Sequence, residues 1–150
     1  MSEPTYRAPD LNLVGADHVR RYRETGGEVG YLWNGVPTLL LTTTGRRTGQ
    51  PRTSALIFGR DGDDYLVVAS MGGAPQHPEW YRNLTAHPEA EVQERAEHVA
   101  VLARTADEDD KPRLWRIMTD LWPNYDTYQA RTERTIPVVV LSPIRGSVPS

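Results

Sequence analysis

The sequence has 150 residues, a formal net charge of −3 and a pI near 5.8, which fits one domain of ordinary size and excludes the strongly basic composition of a general nucleic-acid-binding protein. It contains no cysteine, which excludes disulfides, thiolate metal sites and cysteine catalysis and is typical of a cytoplasmic protein. No signal peptide is apparent, and the longest apolar runs, such as residues 138–141, are too short to span a bilayer. We therefore expect a cytoplasmic protein without a nucleic-acid partner, while contact with a membrane surface and the oligomeric state are left open.

The first thirty residues form a segment of their own. Residues 1–10 are polar and contain prolines, which predicts a loose tail. Residues 17–25 predict a short helix that places Val19 and Tyr22 on one face and ends at the glycine pair 26–27. Residues 31–150 are expected to form a single domain.

Six segments after residue 30 have the apolar, β-branched or alternating composition of strands. The dipeptide Asp61-Gly62, between the second and the third of them, is a typical hairpin turn. The predicted strands are residues 37–43, 52–59, 64–70, 90–94, 99–105 and 136–141.

Three helices are predicted among the later strands. The first begins near Pro78 and ends before Pro88. The second is expected to open at residues 105–108, which have the spacing of a capping box, and to continue through the 3.6-residue apolar pattern of residues 114–121. A short third helix follows at residues 125–129. The order of antiparallel strands first and helices later predicts the α+β class, with the sheet or a small barrel at its centre.

Residues 45–52 form a basic loop between the first two predicted strands. Arg46, Arg47 and Arg52 each offer a planar fork of donors that matches a phosphate or a carboxylate. Gly45 and Gly49 permit a tight turn and a close approach of ligand to backbone. The loop is therefore interpreted either as a cradle for an anionic ligand or as a solvated hairpin loop, and the residues alone do not decide between the two.

A second cluster lies at residues 69–74, at the end of a predicted strand. Its two glycines permit close backbone approach, and the Ser70 hydroxyl can donate or accept a hydrogen bond. The alternative is an ordinary turn between a strand and a helix. The helix that begins at Pro78 could direct its N-terminus at an anion, while core packing is the alternative role of Trp80 and Tyr81.

A third cluster contains Trp122, Tyr125 and Tyr128. The two tyrosines are three residues apart, so a helix would place both hydroxyls on one face, where they suit a pocket for a flat substrate. A protonated tyrosine could also supply a proton to a reduced substrate, although a patch that docks the helix is an equal interpretation. The histidines have no metal-ligand spacing, and no nucleophile elbow or P-loop is present. Few groups can do chemistry themselves, which favours a bound cofactor.

Four segments in order, residues 45–52, 69–74, 77–84 and 131–141, resemble the deazaflavin-dependent nitroreductase family. The resemblance implies a split β-barrel related to the flavin-binding split barrels. It also implies use of reduced coenzyme F420, a deazaflavin with a phosphate and an oligoglutamate tail. The implied activity is hydride transfer to a flat, electron-poor acceptor such as a quinone, an enone or a nitroaromatic compound. An FMN-dependent split-barrel oxidoreductase and a non-catalytic F420 carrier are the alternatives.

The resemblance also implies roles for individual residues. Ser70, Tyr125 and Tyr128 are the candidates that would hydrogen-bond the acceptor or donate its proton. Met71 stands where other members have a lysine next to the coenzyme phosphate, and Trp122 stands where they have a tyrosine. The implied coenzyme-binding residues at the phosphate and tail are Arg46, Arg47, Thr48, Gln50, Pro51 and Arg52. Those at the ring are Ala55, Ile57, Ala69, Ser70, Gly72, Gly73, Glu79 and Trp80, and Met71 is counted with the coenzyme-binding residues. The implied substrate-binding residues are Trp122, Tyr125 and Tyr128.

Overall fold

The computed structural model describes residue 9 and residues 13–144, so most of the predicted N-terminal tail lies outside the described residues. The described chain folds into one antiparallel sheet with helices packed on it. None of its helices is both long and apolar enough to cross a membrane. The strands are β1 (Leu32–Trp33), β2 (Val36–Thr44), β3 (Pro51–Ile57), β4 (Gly59–Asp61), β5 (Asp64–Val68), β6 (Glu89–Glu94), β7 (Glu97–Thr105) and β8 (Val138–Pro143), and the helices are α1 (Gly15–Thr25), α2 (Glu79–Ala86), α3 (Lys111–Leu121) and α4 (Asn124–Ala130).

The sheet has the order β1-β2-β6-β7-β8-β5-β4, and β3 pairs with the side of β2 that faces away from β6. Only Phe58 separates β3 from β4, so one bent stretch of chain pairs first with β2 and then with β5. This stretch brings the two ends of the sheet together and curls it. The α+β class and the split-barrel architecture are thus confirmed.

Alternation along the strands produces two apolar layers. Tyr65 and Val67 of β5 face the interior of the curled sheet, where they pack with Leu39 and Leu41 of β2. Leu66 of β5 belongs to the other layer, in which α3 and α4 cover the outer face of the sheet. The two terminal helices are therefore fixed to the barrel wall, and this attachment positions α4 beside the site described below.

Most predicted elements are found within a few residues of their predicted bounds, but the start of α3 was wrong. Thr105 pairs with Val139 at the end of β7, so residues 105–108 cannot cap a helix. The side chain of Asp107 instead accepts a hydrogen bond from the Asp110 N–H at 2.9 Å, and α3 begins at Lys111. Neither β1 nor the division of one long predicted strand into β3 and β4 was expected.

Candidate active site

The β2–β3 turn holds the predicted basic residues in a closed conformation. The Gly45 N–H donates to the carbonyl of Gln50, and the Gly49 N–H donates to the carbonyl of Gly45, both at 2.8 Å. Gly49 has a φ of +74°, which requires the freedom of glycine. A groove of about 460 Å³ runs beside the turn, and we call it the basic groove. Its lining residues are Gly45, Arg46, Arg47, Thr48, Arg52, Thr53, Ser54, Glu79, Trp80 and Asn83.

Arg46 is held in this groove by two residues of helix α2. Its Nη1 donates to Oε1 of Glu79 at 2.8 Å and to Oδ1 of Asn83 at 3.0 Å. The buried Asn83 side chain also accepts the Arg46 N–H and donates to the hydroxyl of Thr43 at 3.1 Å. Nη2 of Arg46 is buried and has no hydrogen-bond partner among the described residues. Asn83 therefore fixes the position of Arg46, and one of the guanidinium donors is unused.

The basic groove has more positive than negative charge. The hydrogen bond from Arg46 lowers the pKa of Glu79 below its ordinary value, and the charges of Arg46, Arg82 and Arg47 act in the same direction. Arg47 and Arg52 are exposed, and within the described chain neither guanidinium has a carboxylate partner. Since three guanidinium groups face one carboxylate in the groove, a ligand with phosphate or carboxylate groups fits it.

A second space, of about 470 Å³, continues from the basic groove, and we call it the apolar cavity. Ser54, Glu79 and Trp80 line both spaces. Strand β3 contributes Ala55 and Ile57 to the cavity wall. The full lining is Val14, Gly15, His18, Trp33, Thr38, Ser54, Ala55, Leu56, Ile57, Val68, Ser70, Met71, Gly72, Pro78, Glu79, Trp80, Trp122, Tyr125 and Tyr128.

One wall of the apolar cavity is a strained loop. Met71, Gly72 and Gly73 have φ values of 45°, 64° and 85°, a run of left-handed conformations that suits glycine. A Cβ atom on Gly73 would lie 2.6 Å from the carbonyl oxygen of Tyr128, whereas one on Gly72 would meet no atom within 4 Å. The loop therefore packs closely against helix α4 at Gly73, and Met71 stands at the cavity mouth with 52% of its surface exposed.

The wall that adjoins this loop is aromatic. The rings of Tyr125 and Tyr128 lie 6.1 Å apart, and Nε1 of Trp122 donates to the hydroxyl of Tyr128 at 3.4 Å. Burial raises the pKa of Tyr125 well above its ordinary value, with a smaller effect from Tyr128. Tyr125 is thus a poor acid, while Tyr128 is half-buried and also lines the cavity.

The structure brings most of the predicted site residues together around these two spaces, with four exceptions. Ala69 is fully buried in the core, and Gly73 is buried beneath the loop. Gln50 is exposed on the turn, and Pro51 lines a neighbouring groove against α1. These four residues line neither the basic groove nor the apolar cavity.

Several lining residues were missed by the sequence analysis. Asn83 lies one helical turn after Glu79, a spacing that could have indicated that both side chains reach the same arginine. His18 and Trp33 reach the apolar cavity through the packing of α1 and β1 on the sheet. Their sequence neighbourhoods contain no signal of that placement.

Comparisons with known proteins agree with this geometry. Residues 15–143 match the model of a family described as F420H(2)-dependent quinone reductase. An F420H(2)-dependent quinone reductase of Mycobacterium tuberculosis (strain H37Rv) is 46% identical over 129 residues, which cover 83% of this chain and 87% of the relative. A second, putative F420H(2)-dependent quinone reductase of the same strain is 38% identical over 108 residues, or 72% of this chain and 91% of that one.

Solved structures show the same relationship. The F420-H2-dependent reductase FDR-A has a TM-score of 0.66 and 34% identity, and the match covers 71% of this chain and 94% of that one. A structure described as a domain-swapped dimer has a TM-score of 0.69 and 32% identity, with coverage of 84% and 98%. Because the family model spans nearly all of the described residues, the chain belongs to the F420H(2)-dependent quinone reductase family.

Proposed function

We propose that this chain binds F420H2 with its anionic end in the basic groove and its ring in the apolar cavity, and that it reduces a quinone there. Family membership makes the protein an F420H2-dependent oxidoreductase. The observation that supports the placement is the continuity of the two spaces through Ser54, Glu79 and Trp80. A ligand with a charged tail and a flat ring can occupy both at once.

The residues of the basic groove suit the phosphate and oligoglutamate tail of the coenzyme. Arg47 and Arg52 can pair with such groups without breaking an ion pair, because within the described chain they have no carboxylate partner. Arg46 has an unused donor and is held in place by Asn83. Met71 supplies no charge, so these three arginines bind the anionic groups without help from a lysine at that position.

The apolar cavity suits a flat ring and a flat acceptor. Ala55, Ile57 and Trp80 offer apolar surface, and the aromatic side chains of Trp122 and Tyr128 line the other side. When bound, the reduced deazaflavin supplies a hydride. The cavity walls would hold the coenzyme ring and the acceptor together and exclude water, which converts an encounter in solution into a reaction within one site.

The acceptor gains a proton as well as a hydride when a quinone becomes a hydroquinone. Ser70 and Tyr128 line the cavity, and in this proposal their hydroxyls donate a hydrogen bond to the acceptor oxygen as negative charge develops on it. Tyr125 stays protonated because burial raises its pKa, and it contributes an aromatic wall. The proton comes from Tyr128, from Ser70 or from solvent.

Titration of the purified protein with F420 and, separately, with FMN tests the coenzyme assignment by fluorescence. We expect saturable binding of F420 and weaker binding of FMN, because FMN lacks the oligoglutamate tail. Tight binding of FMN without binding of F420 would overturn the proposal.

Oxidation of F420H2 in the presence of quinones, enones and nitroaromatics then tests the reaction, followed at the absorbance band of the coenzyme. We expect turnover with quinones. No oxidation with any acceptor would favour the non-catalytic carrier.

The organisation of the chain follows from the same proposal. We propose a single catalytic domain over residues 31–150, and helix α1 adds one further wall to the apolar cavity through Gly15 and His18. A cytoplasmic location and the absence of a nucleic-acid partner remain predictions from the cysteine-free, mildly acidic composition.

A further inference from the structure

Arg134, between α4 and β8, binds three main-chain carbonyls of one loop. Its Nε donates to the carbonyl oxygen of Ala74 at 2.7 Å, and its Nη2 donates to that of Ser70 at 2.7 Å. Nη1 donates to the carbonyl oxygen of Ala69 at 3.1 Å and to Nδ1 of His77 at 3.0 Å. Arg134 is half-buried, and all three of its guanidinium nitrogens donate to this loop or to its neighbour His77.

The three carbonyls bracket the strained part of the loop. Ala69 and Ser70 precede the left-handed run at residues 71–73, and Ala74 follows it. Met71 has a Cβ atom and a φ of 45°, a conformation that persists only where surrounding contacts impose it. Because Ser70, Met71 and Gly72 line the apolar cavity, Arg134 determines the shape of this wall.

The main chain of Arg134 is tied to the aromatic wall. Nε2 of Gln129, in helix α4, donates to the Arg134 carbonyl at 2.8 Å, and Oε1 of the same side chain accepts the Ile136 N–H at 2.9 Å. Helix α4 also contains Tyr125 and Tyr128. Arg134 therefore connects the loop wall of the cavity with its aromatic wall.

We propose that Arg134 is a positioning residue that holds the loop of residues 69–74 against helix α4 and so fixes the shape of the apolar cavity where these two walls meet. The role as stated rests on the proposed function, since the cavity is where the coenzyme ring and the acceptor would bind. Arg134 itself lines neither the apolar cavity nor the basic groove, so it acts through the loop carbonyls.

The test compares Arg134→Met, Arg134→Lys and, as a matched control, Arg116→Met, which removes an exposed arginine of α3 far in sequence from this loop. Hydrogen exchange of the coenzyme-free protein is measured by peptide. We expect amides of residues 69–77 in Arg134→Met to exchange about tenfold faster, because the carbonyl contacts that hold the loop are gone. Arg134→Lys should show a smaller effect, and strands β6 and β7 should be unchanged in all three.

F420 binding is measured on the same proteins. We expect Arg134→Met to weaken it about tenfold, which corresponds to about 1.4 kcal/mol, and Arg134→Lys to restore part of the loss. Arg116→Met should bind like the wild type. If the wild type bound no F420, the proposed function would fail, and the exchange data would still decide whether Arg134 holds the loop.

Two results would overturn the role of Arg134. One is that, in Arg134→Met, the amides of residues 69–77 exchange at the wild-type rate and F420 binds with the wild-type affinity. The other is an equal rise of exchange in the loop and in strands β6 and β7, which would indicate a general contribution to stability. Should Arg134→Met fail to fold, Arg134→Lys decides by the same two measurements, because it keeps the charge but lacks the planar five-donor fork whose separate nitrogens reach the three carbonyls.

Discussion

Replacement of Gly73 by alanine should destabilise the protein far more than the same change at Gly72. Both residues have positive φ, and alanine in that region costs about 1–2 kcal/mol at either position. Only at Gly73 does the new methyl group also meet fixed atoms, the Tyr128 carbonyl oxygen at 2.6 Å and Arg131 Cβ at 3.1 Å. Overpacking of this kind adds about 1–3 kcal/mol, so we expect a total loss near 2–5 kcal/mol for Gly73→Ala.

Urea unfolding of the two variants and the wild type measures this difference. For a domain of this size, each kcal/mol also lowers Tm by about 2–4 °C, so thermal scans provide a second readout. Gly62→Ala is the control, because Gly62 has a φ of +63° in a remote hairpin with no atom within 4 Å of the added Cβ. Equal losses for Gly73→Ala, Gly72→Ala and Gly62→Ala, at unchanged m-values, would refute the close contact between the loop and α4.

Three further predictions concern charge, the acceptor and pH. Arg52→Ala should raise the coenzyme KM about tenfold, because one charge-assisted contact of about 1.5 kcal/mol is lost, and kcat at saturating coenzyme should stay near the wild-type value. A folded variant whose turnover saturating coenzyme does not restore would contradict this. Tyr128→Phe should lower kcat/KM for quinones without changing F420 affinity in a fluorescence titration. Unchanged kinetics with every acceptor would exclude the Tyr128 hydroxyl from the site. Burial, and then the charges of Arg134 and Arg82, lower the pKa of His77 in the folded protein below its ordinary 6.5. As the pH falls, His77 is therefore protonated in the unfolded chain before it is protonated in the folded one. The free energy of unfolding should accordingly decrease as the pH falls below about 6.5. His77→Asn, whose side-chain oxygen can still accept from Arg134, should reduce that slope in urea titrations at pH 5–7, and an identical slope would show that His77 does not contribute to it.

The fold was predictable from the sequence because its signals are local. Alternation at residues 64–70 and the Asp61-Gly62 hairpin signal depend on neighbouring residues alone, and the structure has β5 at Asp64–Val68, paired with β4 across a turn at residues 62–63. The capping box at residues 105–108 was misleading, because the long-range pairing of Thr105 with Val139 outweighs a local helix signal.

The site was predictable where a motif contains both the ligand-facing residues and their supports. The basic turn has its arginines and its glycines within eight residues, and the structure places Arg46, Arg47 and Arg52 along one groove. Arg134 was different. It lies in one of the four segments that resemble the family, but its side chain contacts three carbonyls 60 to 65 residues earlier, which no local pattern could reveal.

Strand β3 has one more consequence, since it contributes Arg52 to the basic groove and several residues to the wall of the apolar cavity. Arg52 lines the basic groove, and Leu56, on the same face four residues later, lines the apolar cavity, about 14 Å away at the usual rise of a strand. The strand thereby fixes the distance between the two spaces, and under the proposed placement a coenzyme must match that length to reach both. Inserting two residues would keep every side chain on its own face yet move Arg52 by about 7 Å relative to the cavity, so the spacing along this strand, and not its chemistry alone, limits which ligands can reach both spaces.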